Sequence, residues 1–216
     1  MKQRGDTIVE VLFAVTVFSL VAVGGLSVMN QGAAMAQRSL EIGLVRDQMD
    51  AQADALRYMH NAYVANFGED GVATTDIWNE VTSKHDVTEA QAFSDISDSQ
   101  KCHLAPAAHA SSVSSDGAPF AIDIRKLDAG SGSPVVLLNQ ANNIDTTATY
   151  AQIRYPSSSS SDPAKPEGIW IQAVRSPAVG GVLGYYDFHI RACWLTPGQS
   201  APVTLGTIVR LYEPKQ

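Results

Sequence analysis

Asp6 to Met29 reads DTIVEVLFAVTVFSLVAVGGLSVM, and its last 19 positions, Val11 to Met29, carry no charge. A helix needs about 20 mostly apolar residues to cross a bilayer, so this run is long enough. Lys2 and Arg4 precede it. By the positive-inside rule they keep the N-terminus cytoplasmic and send everything after about Asn30 across. A secretory signal fits less well, because its small-residue cleavage site should follow the apolar run directly. Gly32-Ala33-Ala34-Met35-Ala36 is the one small-rich stretch that offers this alternative.

Glu10 breaks the apolar pattern at its start. An acid near the membrane costs free energy, and such residues tend to be partnered and functional. The plainer reading is a carboxylate at headgroup level with no partner. The spacing separates the two readings: Gly5 lies five residues before Glu10 and ends a short basic leader, Met1-Lys2-Gln3-Arg4-Gly5.

Gly5-Asp6-Thr7-Ile8-Val9-Glu10-Val11-Leu12, followed by apolar residues, resembles the type III signal of type IV prepilins. The likeness covers about 30 residues. It implies a membrane peptidase that cuts after Gly5 and methylates the new N-terminus at Asp6. It also implies that Glu10, at mature position five, is an assembly residue. Asp6 departs from the phenylalanine usual at the first mature position. That position is more permissive among minor pilins, which points to a minor pilin or a pseudopilin. A free amine on Asp6, buried among packed apolar helices, would be costly without a partner. Glu10 of a neighbouring subunit can neutralise it and penalise wrong registers. Arg4-Gly5-Asp6 spells an integrin-type tripeptide, but cleavage would divide it.

The helical pattern continues past the apolar run. Ile42, Val45, Met49, Gln52, Leu56, Met59 and Tyr63 recur at steps of three and four, one face of a helix. No proline occurs before Pro106, and Gly68 offers a C-cap. A single helix from about Asp6 to Asn66 would be roughly 90 Å long, with Gly24, Gly25, Gly32 and Gly43 as weak points. The amphipathic half suits packing on a sheet better than a free coiled coil, because its stripe spans only about three heptads.

Thr75-Asp76 and Thr88-Glu89 read as short helix starts. Ser111 to Asp116 and Tyr155 to Pro166 (YPSSSSSDPAKP) read as surface loops, the second open to glycosylation or simply solvated. In the last third, Tyr186, Phe188, Ile190, Ala192 and Trp194 alternate with Asp187, His189, Arg191 and Cys193. Gly168 to Arg175 and Gly206 to Tyr212 flank this strand, which predicts an antiparallel meander. Pro119 to Lys126 and Thr147 to Arg154 are further strand candidates. The expected class is α+β: a long N-terminal helix, membrane-spanning in its first half, packed on a C-terminal antiparallel sheet, as in pilins. The divisions are leader 1–5, assembly half 6–29, amphipathic half 30–67 and globular domain 68–216.

Two cysteines, Cys102 and Cys193, suggest one disulfide in a translocated domain; two unrelated buried thiols are the alternative. Net charge is −7 with scattered Lys and Arg, so no nucleic-acid partner is expected. His60, His85, His103, His109 and His189 lack metal-ligand spacing, and no metal or cofactor is expected. No nucleophile-elbow or phosphate-cradling motif occurs, so no catalytic residue is assigned and the chain is read as a non-enzyme. The resemblance implies other pilin subunits, the prepilin peptidase and the pilus assembly platform as partners. It also implies a single-pass stay in the cytoplasmic membrane before extracellular assembly, with roles in adhesion, twitching motility or DNA uptake. A pseudopilin of a secretion or competence system is one alternative. A membrane-anchored extracytoplasmic enzyme or binding domain is the other.

Overall fold

The structure is a computed structural model that describes residues 6–69, 73–86, 119–127, 132–138, 150–155, 164–196 and 201–214. The chain divides into two compact units, Met1–Gly43 and Leu44–Gln216. One helix, α1 (Asp6–Ala65), supplies the described part of the first unit and enters the second at Leu44. It stays helical through Gly24, Gly25, Gly32 and Gly43, so none of these glycines unwinds it.

Within the second unit, Val45, Met49, Gln52, Leu56 and Met59 are buried, the stripe that the sequence predicts for one helix face. Ile42, in the first unit, and Tyr63, at the far end, are half-buried. Ala53 and Ala55 widen the buried face, while Asp54 and Arg57 stay on the open side as an ion pair. The helix ends in a tightened last turn, with Asn66 N–H donating to Tyr63 O (3.2 Å) and Phe67 N–H to Val64 O (3.3 Å). Gly68 follows at φ +91°, a left-handed conformation that a side chain would strain.

A second helix, α2 (Ala73–Thr82), starts two residues before the Thr75-Asp76 signal, which falls in its first turn. The central sheet is built on three long strands, β6 (Ile169–Ser176), β7 (Tyr185–Trp194) and β8 (Val203–Tyr212). They form the predicted antiparallel meander, with Ile171 opposite Ile190 and Phe188 opposite Val209. The short strands β2 (Phe120–Ile122) and β3 (Val135–Leu137) extend it, giving the order β3-β2-β6-β7-β8. One pairing is not antiparallel: β1 (His85–Asp86) runs parallel to β6 beside Ala173 and Val174. The fold is therefore α+β, a long N-terminal helix whose second half packs on a C-terminal sheet that is antiparallel apart from β1.

The strand boundaries differ from expectation where turn chemistry intervenes. Pro119 to Lys126 is strand only over β2, because Asp123 caps a 3-10 turn (Ile124–Lys126) by accepting from Arg125 N–H. Thr147 to Arg154 is strand only at β4 (Gln152–Arg154) among its described residues. The Tyr155 to Pro166 segment does not stay a loop to its end. Lys165 and Pro166 enter β5 (Lys165–Glu167), which pairs with β4 as a separate two-stranded ladder. Such a ladder has only edge strands, where proline is tolerated. The Thr88-Glu89 signal and the Ser111 to Asp116 loop lie outside the described residues.

Two apolar layers flank the central sheet. Phe188, Ile190, Ile171 and Phe120 are fully buried on one face. On the other, Trp170 and Cys193 form a second cluster with Ala121, Leu138, Ile153 and Ala164. The second layer explains why Arg191 and Cys193, on the face that simple alternation assigns to solvent, are both buried.

Candidate functional site

From Ile8 to Leu40 the helix of the first unit leaves its apolar side chains open on every side. Phe13, Phe18, Leu20 and Met29 are each more than 70% exposed, and none of the most apolar window is buried within the chain. No charged residue lies between Glu10 and Arg38. Two hydroxyls inside the run are satisfied locally: Thr16 Oγ1 donates to Phe13 O (2.8 Å) and Ser19 Oγ to Val15 O (2.7 Å). Such back-bonding lets hydroxyls sit in an apolar medium. A helix hydrophobic all round belongs in a bilayer or among other helices. Among the described residues, α1 is the one helix long and apolar enough to cross a membrane.

Glu10 is exposed on this helix, one turn beyond Asp6, where α1 begins. Gly5 lies outside the described residues, as does Cys102. Cys193 is on β7, wholly buried, and is not a free cysteine. Of the histidines, His60 meets the Tyr212 carbonyl at 2.8 Å and His189 is half-buried on β7. His103 and His109 lie outside the described residues. No group of three or more His, Cys, Asp or Glu among the described residues is placed to hold a metal.

A cleft of about 370 Å³ opens in the second unit between the end of α1, α2, the β6–β7 connection and the segment after β8. Its floor is aromatic. Trp78 of α2 is buried and contacts His60, Tyr63, Tyr186 and Phe188, with ring centroids 5.1–6.2 Å apart. Phe67, 40% exposed, sits edge-on to Tyr63 at 5.6 Å.

Another part of the lining is polar. Arg175, at the end of β6, donates from Nε (3.0 Å) and Nη2 (2.8 Å) to one oxygen of Glu213. The bond to Glu213 raises the Arg175 pKa and fixes its charge. Burial pushes the Tyr63 and Tyr186 phenols up, and the nearby Glu213 carboxylate adds to both shifts. Both phenols stay protonated, and that of Tyr186 is already hydrogen-bonded to Thr82 and Glu213. Gly184 makes this closeness possible: a Cβ there would lie 3.0 Å from Glu213 Cδ and 3.1 Å from the Ala178 nitrogen. The Glu213 N–H in turn donates to Gly184 O at 2.8 Å.

Sequence reasoning did not single out Arg175, Glu213, Asn79 or Phe67. One signal was available. Ile169, Ile171 and Ala173 share a face of β6, and Arg175 continues that face, breaking an apolar pattern at its end. The contribution of Glu213 had no local signal, since it depends on β8 returning beside β7.

Comparisons with protein-family models, curated proteins and solved structures find no match to this chain.

Proposed function

We propose that the chain is a type IV pilin-like subunit, a minor pilin, that acts by assembling through α1 rather than by catalysis. The carrying observation is the join of two features: Glu10 five residues after Gly5, and an uncharged helix beyond it with its apolar side chains open on all sides. A helix that meets only lipid needs no acid at its start. A helix that leaves lipid to pack among copies of itself can use one, opposite a buried amine.

On this reading the N-terminus begins inside and the Leu44–Gln216 unit is translocated. Residues 1–5 are removed, Asp6 is methylated, and a disulfide joins Cys102 to Cys193. Support for the disulfide is that Cys193 is buried and not free, and that Cys102 is the chain's one other cysteine. Partners are other pilin subunits, the prepilin peptidase and the assembly platform.

Intact-mass measurement of the protein in sheared surface filaments tests this. Expected is a chain that starts at Asp6 with one added methyl group. A chain that keeps residues 1–5 in assembled material overturns the reading.

A further inference from the structure

We propose that the cleft between Phe67, Trp78, Arg175 and Glu213 is a carbohydrate-binding site that takes one neutral pyranose residue of a glycan.

Arg175 is the one basic residue lining the cleft among the described residues, and it is already bonded to Glu213. A phosphate or carboxylate entering here meets the Glu213 carboxylate as well as the guanidinium, so the wall offers no net attraction for an anion. The same pair offers none for a cation. Binding a zwitterion would require the ion pair to part, and a broken, part-buried pair is costly. A fully apolar ligand would desolvate the polar wall without replacing its hydrogen bonds, which is also unfavourable. A neutral ligand rich in hydroxyls satisfies both kinds of group.

The remaining chemistry narrows the class. The guanidinium and the Tyr63 phenol donate, the carboxylate accepts, and the Asn79 amide on the rim does both. Asn79 is exposed, and no described residue occupies its side-chain amide. Phe67 also lines the cleft and leaves 40% of its surface open. A pyranose has this pattern: hydroxyls around its edge and patches of C–H on its faces, which pack on aromatic carbon. The volume of about 370 Å³ is at the small end of ligand clefts, which run roughly 300–1,000 Å³, and suits a single sugar unit. Arg175, Glu213 and Gly184 are locked to one another, so the polar wall is formed before any ligand arrives.

All of these residues belong to the Leu44–Gln216 unit, so binding needs neither processing nor assembly of α1. The test uses the full chain in phospholipid nanodiscs and a panel of methyl pyranosides with gluco, galacto, manno and N-acetylglucosamine configurations. Saturation-transfer NMR reads binding, and glycine and inorganic phosphate serve as charged comparators. At least one pyranoside is expected to bind with a Kd on the order of 1 mM. Glu213→Gln is expected to weaken it about tenfold and Asn79→Ala about fivefold. Circular dichroism checks that each variant is folded. If Glu213→Gln fails to fold, Asn79→Ala decides, since it changes only an exposed helix position. No transfer from any pyranoside overturns the proposal. So does binding that Asn79→Ala leaves unchanged, or a preference for glycine or phosphate over every sugar.

Discussion

The side-chain amide of Gln52 pairs with the backbone of Ile122 as a neighbouring strand would: Nε2 donates to the Ile122 carbonyl at 3.0 Å, and Oε1 accepts from the Ile122 N–H at 2.8 Å. Both residues are buried, so water cannot replace either bond. The pair ties α1 to β2, a strand whose ladder to β6 has a single pairing, Phe120 with Ile171. Gln52→Leu keeps the volume but strands one buried N–H and one buried C=O, each costing about 1–3 kcal/mol. Thermal unfolding followed by near-UV circular dichroism should show a loss of about 2–4 kcal/mol. A variant as stable as the parent would mean that the backbone finds other partners.

Gly184 is constrained by what surrounds it rather than by its own backbone. Its missing Cβ leaves room for the Glu213 carboxyl, and the backbone nitrogen of Ala178 closes the other side. A flexible carboxylate can retreat from an added methyl, but a backbone atom cannot do so cheaply. Gly184→Ala should therefore destabilise the second unit by about 1–3 kcal/mol and displace Glu213 from Arg175. A structure of the variant with the 2.8 Å Arg175–Glu213 bond intact would refute the crowding argument.

Much of this architecture is readable in the sequence because it rests on period. The buried stripe from Val45 to Met59 repeats at helical spacing, and residue type alternates along β7 from Tyr186 to Trp194. Each pattern is long enough to outvote local exceptions. The three-residue strands β2 to β5 are too short to show a period, and the parallel β1 is shorter still. The burial of Arg191 and Cys193 was illegible for a different reason. It depends on Leu138, Ile153 and Ala164 arriving from other parts of the chain to cover that face. That the first half of α1 is long and apolar enough to cross a membrane was legible from composition alone. The cleft was not, because Phe67, Asn79, Arg175 and Glu213 meet only after folding.

Acid should weaken the second unit in two stages. His189 is pushed below its usual range by burial first and by Arg191 next. Its folded pKa is thus below its unfolded value of about 6.5, so the unfolded chain takes the proton first as pH falls. Stability is full above about 6.5 and declines from there down to the folded value. Burial also acts to raise Asp123, but the bonds from the Arg125 side chain (2.9 and 2.7 Å) and backbone outweigh it, and the carboxyl is held below the usual range. Its contribution is present above about pH 3.9 and is lost as pH falls through the folded value. Urea unfolding across this range should show both declines. His189→Gln should remove the upper one and Asp123→Asn the lower. A wild-type profile flat from about pH 7 to pH 4.5 would exclude the histidine effect.

The proposed disulfide has a measurable consequence. A Cys102–Cys193 bond closes a loop of about 90 residues, worth roughly 4 kcal/mol through the unfolded state. With Cys193 wholly buried, reductant should act slowly on the native protein and quickly once denaturant is added. Non-reducing peptide mapping should recover the linked pair, and reduction should lower the unfolding midpoint. Free thiols at both positions in protein taken from the cell surface would remove the disulfide from the proposal.

Glu10→Ala separates anchoring from assembly. The apolar run is untouched by this change and gains hydrophobicity at its start, so membrane insertion should survive. The second unit should fold as before, since Glu10 is exposed and lies outside the Leu44–Gln216 unit. Assembly is where the loss should appear. In packed helices the amine of Asp6 would have no carboxylate opposite it, and breaking a buried pair costs on the order of 3–5 kcal/mol. About 1.4 kcal/mol already changes an equilibrium tenfold, so recruitment into filaments should fall steeply. Glu10→Gln refines the test, because it keeps a hydrogen-bonding side chain of the same length without the charge. If charge neutralisation matters, Gln should fail nearly as badly as Ala. The measurement compares sheared surface filaments with membrane fractions for wild type and both variants. Equal incorporation of all three would leave α1 as a plain membrane anchor and Glu10 as a carboxylate at the headgroup level.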